Sequence, residues 1–311
     1  MNGKQRPPIP ADIGADPQSS AGPAIDDAIG KIVSSSNYWP ADEDLGFLQT
    51  HEARGLRLQL EYLKADAIMR RQRIANTIVV FGSTRIAERQ DAERQVEESK
   101  RRLAVEPDNS DFKRAHIAAK RLLTKSKYYD VARDLGRTVG LAGVNHERGH
   151  TVIMTGGGPG IMEAANRGST DVGALSIGLN ITLPHEQFPN RYVTPNLCIQ
   201  FRYFAMRKLH FALRAKALVV FPGGFGTMDE LFEILQLLQT RKMPPIPVVL
   251  VGEDYWRKAF DADFLVEEGV IDAEDRGLYW FAETAESIWS GILGWHETRG
   301  TLLLEPSDDP P

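Results

Sequence analysis

Two short apolar runs in this chain each end in a glycine-rich turn that leads directly into a helix-forming segment. Residues 151–155 run into Gly-Gly-Gly-Pro-Gly at 156–160, and residues 217–221 run into Pro-Gly-Gly-Phe-Gly at 222–226. A strand that passes through such a turn into a helix is one half of a βαβ crossover, which joins two parallel strands. The chain is thereby restricted to folds that are built around a parallel sheet.

The alternation of strands and helices continues beyond these two turns. Apolar runs typical of buried strands occur at 77–81, 151–155, 174–181, 217–221 and 246–251. Helical spacing fills most of the segments between them. The pattern predicts an α/β fold with a doubly wound, Rossmann-like parallel sheet, flanked by helices and preceded by extra N-terminal helices.

Composition divides the chain into four parts. Residues 1–25 contain hardly any large apolar side chains and are predicted to be disordered. Residues 26–75 are predicted to form a helical extension, and residues 76–296 the Rossmann-like domain, with a charged helical insertion at 87–128. Residues 297–311 end in a run of Pro and Asp and are predicted to be a loose tail.

Charge and composition exclude several classes of partner. The formal net charge is -5 at pH 7, whereas a nucleic-acid-binding face normally appears as an excess of basic residues, so no nucleic-acid partner is expected. No apolar run approaches the ~20 residues that cross a bilayer, so no membrane association is expected. The single cysteine, Cys198, and the lack of an apolar leader predict a cytoplasmic protein.

The turn at 222–226 has the features of a phosphate-binding loop. Its glycines allow the backbone to approach a ligand, and the helix that follows offers unpaired N–H groups and the positive end of its dipole. Thr227 can cap this helix and donate its hydroxyl to an anion. We predict that Gly223, Gly224, Phe225, Gly226 and Thr227 bind a phosphate. A tight turn that needs glycine only for its geometry is the alternative.

The two turns together favour a mononucleotide as the ligand. Two such turns in one sheet are predicted to face each other across a crevice at the carboxyl ends of the strands. Neither matches the GxGxxG fingerprint of dinucleotide-binding proteins, and neither contains the GxxxxGK[ST] of a P-loop. Binding of NAD, or of a nucleoside triphosphate with magnesium, is therefore disfavoured.

Three charged residues lie near the second turn in the sequence. Arg207 and Lys208 open a helical segment that leads into the strand before Pro222, which brings two cations within reach of the crevice. Glu230 lies about one turn into the helix after the phosphate loop, where the helix dipole favours its ionised form. A solvated helix end with an ordinary surface glutamate is the alternative.

These residues resemble the Lonely Guy (LOG) family of phosphoribohydrolases, formerly described as lysine decarboxylase-like. The family's Pro-Gly-Gly-x-Gly-Thr-x-x-Glu motif is matched at 222–230, its Arg-Lys motif at 207–208 and its early Gly-Ser element at 82–83. Residues 156–168 are similar to the longer branch of the family, which has Glu163 where shorter members usually carry glycine. The similarity spans roughly residues 76–295.

The resemblance implies an enzyme that hydrolyses the N-glycosidic bond of a purine nucleoside 5'-monophosphate to free base and ribose 5-phosphate. The substrate would be AMP or a cytokinin riboside 5'-monophosphate, and Arg207 and Glu230 would be the catalytic pair. Bond cleavage develops oxocarbenium character at the ribose, which a carboxylate can stabilise while it orients water. A guanidinium can hold ribose or phosphate oxygens bidentately.

The resemblance also implies the remaining contacts and partners. Besides the phosphate loop, the residues implied to contact the nucleotide are Gly82, Ser83, Gly157, Gly158, Met162, Glu163 and Lys208. Neither a cofactor nor a metal is expected. A small-molecule nucleotide is the expected partner, and a homodimer or higher homo-oligomer is the expected assembly.

Three other interpretations stay open. Residues 146–150 match the H-E-x-x-H signature of zinc proteases, but Gly149 and a strand that begins at Thr151 indicate a helix end, where the two histidines cannot share a helical face. A lysine decarboxylase would need a Schiff-base lysine for pyridoxal phosphate, for which Lys208 can only formally be proposed. A non-catalytic nucleotide sensor would use the same glycine loops.

Overall fold

The structure is a computed structural model that describes residues 23–143, 149–183, 188–301 and 303. The strands are β1 (Ile74–Phe81), β2 (His150–Thr155), β3 (Ser176–Ile181), β4 (Cys198–Phe201), β5 (Ala215–Val220), β6 (Val248–Val251) and β7 (Trp280–Ala282). The helices are α1 (Pro23–Ser34), α2 (Leu45–Gln49), α3 (Arg54–Arg71), α4 (Arg89–Val105), α5 (Ser110–Leu123), α6 (Lys127–Ala142), α7 (Ile161–Asp171), α8 (Phe204–Leu213), α9 (Phe225–Gln239), α10 (Glu253–Ala259), α11 (Ala262–Glu267) and α12 (Ala285–Thr298).

The chain divides into two compact units, one that ends at Arg57 and one that begins at Leu58. In the first unit the guanidinium of Arg57 donates to the carbonyls of Leu48 and Thr50 at 2.7 and 2.6 Å, which satisfies carbonyls at the end of α2. Of the segment predicted to be disordered, residues 1–22 lie outside the described residues, and α1 already begins at Pro23. Most of the predicted loose tail, 302 and 304–311, also lies outside them.

The second unit contains one sheet of seven parallel strands, in the order β4-β3-β2-β1-β5-β6-β7. The chain builds outward from β1 to β4, then returns to the other side of β1 and continues to β7. This arrangement confirms the predicted doubly wound α/β fold. The strand order reverses between β1 and β5, so the crevice where such sheets bind ligands lies beyond Phe81 and Val220.

Sequence patterns located five of the strands and missed β4 and β7. These two strands have four and three residues and lie at the edges of the sheet. Runs this short do not establish a period of two, so they cannot be distinguished from loops by pattern. The segment interpreted as a charged insertion contains two helices, α4 and α5, whose side chains are mostly exposed.

Helices cover both faces of the sheet. One face packs against α3, α8, α9 and α10, through Met69, Phe211, Leu231 and Trp256 among others. The opposite face packs against α6, α7 and α12, through Leu135, Ile161 and Ile288 among others. Because each buried apolar side chain of this size stabilises the fold by about 1.5–3 kcal/mol, the two layers fix the helix positions firmly. In the described part of the chain, no helix combines the length and apolarity that crossing a bilayer requires.

Candidate active site

The predicted phosphate loop opens α9 at the reversal of strand order. Gly224, Phe225 and Gly226 are exposed, and the Phe225 residue is 92% exposed. The first hydrogen-bonded amide is that of Thr227, which donates to Gly224 O at 3.0 Å, while the N–H groups of Phe225 and Gly226 have no acceptor among the described residues. Unpaired amides at the positive end of a helix dipole are suited to bind an anion.

The base of this loop is fixed although its tip is open. A Cβ atom on Gly223 would lie 2.1 Å from Thr227 Oγ1, so only glycine fits against the buried threonine. The hydroxyl of Tyr255, from α10, donates to the Gly223 carbonyl. These contacts hold the loop in shape without occupying its exposed amides.

The first glycine loop, at 156–160, is packed into the protein. Gly157 and Gly160 have φ angles of 71° and 73°, in the left-handed region that favours glycine. A Cβ atom on Gly160 would lie 2.4 Å from the carbonyl oxygen of Ser83. These glycines are therefore required by backbone conformation and close packing.

Three buried polar side chains, which sequence reasoning did not assign, support the first loop. Thr155 Oγ1 accepts from the amide of Gly157 at 2.9 Å and donates to Asn166 Oδ1 at 2.8 Å. Asn190 Nδ2 donates to Gly158 O at 2.9 Å and to Asn166 Oδ1 at 3.0 Å. Asn166 lies in the quoted motif, but its partner Asn190 is 24 residues away, in a segment without regular structure, so only the fold connects them.

Ser83 connects the two loops. Its amide donates to Pro222 O at 3.0 Å, and its carbonyl accepts from the amide of Ile161 at 3.2 Å. Gly82 allows this approach, because a Cβ atom there would lie 2.7 Å from Ile161 Cγ2. The carboxyl ends of β1, β2 and β5 thus meet at one place, as the sequence predicted for the two loops.

Arg207 and Glu230 lie together at this place. Arg207 Nη2 is 3.6 Å from Glu230 Oε1, and the side chains are only 13% and 6% exposed. The guanidinium lies 5.6 and 5.3 Å from the ring centroids of Phe204 and Phe211, which limits its rotation. Among the described residues, its buried Nε has no hydrogen-bond partner. The pair is therefore buried but incompletely satisfied.

The first loop also approaches this pair. A Cβ atom on Gly156 would lie 3.0 Å from Met162 Sδ and 3.5 Å from Arg207 Nη2. Met162 and Arg207 therefore lie on the same side of that loop. The structure brings together Arg207, Glu230, Met162 and both glycine loops.

Burial dominates the electrostatics of the pair. It raises the pKa of Glu230 to about 7, although Arg207 and Lys208 act in the opposite direction. Burial also lowers the pKa of Arg207, against the influence of Glu230. The position of Glu230 near the start of α9 was expected to favour its ionised form, but its loss of solvent outweighs the nearby cations and the pKa rises.

Two other residues predicted to contact the nucleotide, Lys208 and Glu163, have polar partners within the protein. Lys208 Nζ lies 2.8 Å from Asp229 Oδ1 on α9, which turns the ammonium toward that helix. Glu163 accepts a hydrogen bond from the Tyr129 hydroxyl at 3.2 Å and lines a cavity of about 430 Å³ that also includes Glu88 from the insertion. Their contact with a nucleotide stays a prediction.

The zinc-protease match does not have the helical setting that it needs. His150 is the first residue of β2, and Gly149 has a φ of 94°. Residues 146–148 lie outside the described residues. Within the described ranges, no group of three or more His, Cys, Asp or Glu is arranged to hold a metal ion.

Comparisons with known proteins agree with the motifs. The family described as "Possible lysine decarboxylase" matches residues 162–292. The chain is 30% identical over 187 residues to the cytokinin riboside 5'-monophosphate phosphoribohydrolase LOG4 of Arabidopsis thaliana, which covers 58% of this chain and 82% of the relative. This chain belongs to the LOG family. The family resemblance inferred from the motifs is confirmed.

Other similar proteins include a second member of the LOG family and more distant solved structures. The phosphoribohydrolase LOG of Oryza sativa subsp. japonica is 30% identical over 169 residues, 53% of this chain and 65% of the relative. A molybdenum cofactor binding protein from Rippkaea orientalis is 22% identical, with a TM-score of 0.41 over 54% of this chain and 88% of that chain. At that TM-score the likeness adds nothing to what the strand order shows.

Proposed function

We propose that this protein hydrolyses the N-glycosidic bond of a purine nucleoside 5'-monophosphate, AMP or a cytokinin riboside 5'-monophosphate. The observation that carries the proposal is the buried Arg207–Glu230 pair beside a helix start with two unpaired amides. The names of the LOG relatives support the same reaction.

The phosphate is the anchor in this mechanism. It accepts hydrogen bonds from the amides of Phe225 and Gly226 and lies near the hydroxyl of Thr227, at the positive end of α9. The ribose then extends toward Glu230, about one turn along the same helix. Arg207 holds ribose or phosphate oxygens and fixes the sugar against the carboxylate.

Glu230 acts on the bond that breaks. The C1'–N bond of the nucleotide lengthens, its electron pair leaves with the base, and the ionised carboxylate stabilises the positive charge that develops on the ribose. Water attacks C1', gives one proton to Glu230 and yields ribose 5-phosphate. The leaving base nitrogen takes up a proton from solvent, and Glu230 then returns its proton to solvent, so that one water is consumed in each turnover. A pKa of about 7 suits a group that accepts a proton near neutral pH.

The alternatives account for less of the site. A sensor that only binds the nucleotide gains nothing from a buried carboxylate beside the anion, because like charges repel. A pyridoxal-phosphate enzyme needs a lysine that loses its proton readily. Burial by itself would lower the pKa of Lys208, but the close contacts with the Asp229 and Glu233 carboxylates outweigh it and raise the pKa.

The deciding experiment is chromatography of AMP and of N6-isopentenyl-AMP after incubation with the purified protein. Release of free base together with ribose 5-phosphate is the expected result, and adenosine, which lacks the phosphate, should react far more slowly. The Glu230→Gln variant is the control for a contaminating nucleosidase. Nucleotides that bind but stay intact would overturn the proposal and leave the sensor.

The active unit is proposed to be a homodimer or a higher homo-oligomer. The family resemblance supports this, as do exposed apolar side chains on α8 and α9, among them Leu209, Leu213 and Phe232. Light scattering should give at least twice the 34.6 kDa mass of the chain. A catalytically active monomer would contradict it.

A further inference from the structure

The contact between α8 and α9 contains a second set of charges beside the catalytic pair. Lys208 follows Arg207 on α8, and its Nζ lies 2.8 Å from Asp229 Oδ1 and 2.8 Å from Glu233 Oε2. Asp229 directly precedes Glu230, and Glu233 lies one turn beyond it. The lysine therefore contacts α9 on both sides of the catalytic carboxylate.

The catalytic pair does not itself fix the distance between the two helices. The 3.6 Å separation of Arg207 Nη2 and Glu230 Oε1 is longer than a hydrogen bond. By contrast, Lys208 makes two close charged contacts. Its own side chain is 17% exposed, whereas Asp229 is 55% and Glu233 34% exposed, so solvent screens the Glu233 contact less than the Asp229 contact. The strongest polar link between α8 and α9 near the site is therefore that of Lys208.

We propose that Lys208 is a positioning residue, which joins Asp229 and Glu233 and thereby holds Arg207 and Glu230 together across the α8–α9 contact. The inference rests on the proposed function. It differs from the contact with substrate that the family resemblance implies, because the charge of an ammonium shared by two carboxylates is already compensated within the protein. Its role is to set the place and the ionisation of Glu230.

The same three charges also act on the proton of Glu230. Besides burial, the charged groups that influence its pKa are Arg207 and Lys208 from α8, which lower it, and Glu233 and Asp229 from its own helix, which raise it. Replacement of Lys208 by methionine removes a cation and leaves both carboxylates uncompensated. The pKa of Glu230 should then rise, whereas Asp229→Asn removes an anion and should lower it.

The test is the pH dependence of kcat/KM for AMP, with Lys208→Met, Lys208→Arg and Asp229→Asn compared with the wild type. Because Glu230 acts as the carboxylate, its titration limits the acid side of the profile. Lys208→Met should shift that limb of the profile to higher pH by about half a unit or more, and Asp229→Asn should shift it to lower pH. Lys208→Arg should restore most of the wild-type profile. If these substitutions only loosened the contact between α8 and α9, the pH profiles of Lys208→Met and Asp229→Asn would not shift in opposite directions.

The Michaelis constant separates the two roles of Lys208. A positioning residue predicts a lower kcat for Lys208→Met with a KM for AMP within about twofold of wild type. A residue that binds phosphate predicts a KM raised about tenfold or more, because a charged hydrogen bond is lost. The latter result, or an unmoved pH profile, would overturn the proposal. Lys242→Met, at an exposed lysine just beyond α9, is the matched control.

A titration of the Glu230 carboxyl by 13C NMR, assigned with Glu230→Gln, does not depend on turnover. The carboxyl pKa should rise in Lys208→Met and fall in Asp229→Asn. If the wild type releases no base from AMP, the proposed function fails while this measurement still decides the role of Lys208. Equal pKa values in all variants would refute the role.

Discussion

The two glycine loops have similar sequences, but their glycines have different structural roles. In the first loop Gly157, Gly158 and Gly160 are buried, and the first amide of α7 is already bonded to Ser83 O. In the second loop Gly224 and Gly226 are exposed, and a Cβ atom on either would meet nothing within 4 Å. The first loop is part of the packing, whereas in the second loop packing fixes Gly223 at the base and leaves the tip open to a ligand.

This difference shows why glycine content alone does not identify a phosphate site. A strand that turns sharply into a helix needs glycine for its backbone whether or not anything binds. In the described part of the chain, the amides of Phe225 and Gly226 in the second loop lack an acceptor and belong to exposed residues, whereas Gly157, Gly158 and Gly160 of the first loop are buried. Substitutions that act on one loop and spare the other therefore test the distinction.

The largest expected effect is a loss of catalysis that leaves binding by the two loops unchanged. Glu230→Gln should lower kcat by about 10²–10³-fold and leave the KM for AMP nearly unchanged, because the charge acts mainly in the transition state. Steady-state kinetics with AMP measures both quantities. Near wild-type turnover in this variant, together with loss of activity in Asp229→Asn, would show that Glu230 is not the catalytic carboxylate.

A substitution in the first loop should act on folding. Gly160→Ala places a Cβ atom where the carbonyl of Ser83 lies 2.4 Å away, at a φ of 73°. We expect it to lower the free energy of unfolding by at least about 2 kcal/mol, from backbone strain and displacement of Ser83. Urea denaturation followed by circular dichroism measures this. Gly226→Ala is the matched control and should cost less than about 1 kcal/mol, because its surroundings are open.

A substitution in the second loop should act on binding and leave folding intact. Phe225 is the first residue of α9, a position where proline fits the helix but removes one of the amides assigned to the phosphate. Phe225→Pro should raise the KM for AMP about tenfold or more. Phe225→Ala removes the same side chain but keeps the amide, so its KM should stay near that of wild type. Equal KM values for the two variants would show that this amide does not hold the phosphate.

The last expected effect is a loss of activity at low pH in the wild-type protein. Burial raises the pKa of Glu230 to about 7, so the carboxyl gains its proton as the pH falls through that value. If the ionised form is the active one, kcat/KM should fall by about tenfold per unit below the pKa and level off above it. A flat profile between about pH 5.5 and about pH 8, a range that brackets this pKa, would show that the ionised Glu230 carboxylate is not required for catalysis.

Sequence alone predicted the framework and the family, because both depend on local patterns. The strands beside the crevice are continuous apolar runs, and the motif at 222–230 identifies the loop and its glutamate without any tertiary contact. The edge strands β4 and β7 were missed because they are short and become strands through pairing with β3 and β6.

The chemistry of the site could not be predicted in the same way. The direction of the Glu230 pKa shift depends on burial by distant segments, and the side on which Lys208 lies depends on how α8 packs against α9. The support of the first loop by Asn190 joins residues that no local pattern relates. Such features follow from the packing of elements rather than from the propensity of any one segment.

The main-chain bonds of Ser83 have a mechanical consequence. Both the bond to Pro222 and the bond to Ile161 use its backbone, so the connection between the loops does not depend on the side chain at this position. If a nucleotide binds the second loop as proposed, these bonds should also restrain the first loop, and the amide hydrogens of Ser83 and Ile161 should exchange more slowly with solvent when AMP is bound. A ligand bound at one loop is therefore expected to stabilise the loop opposite it.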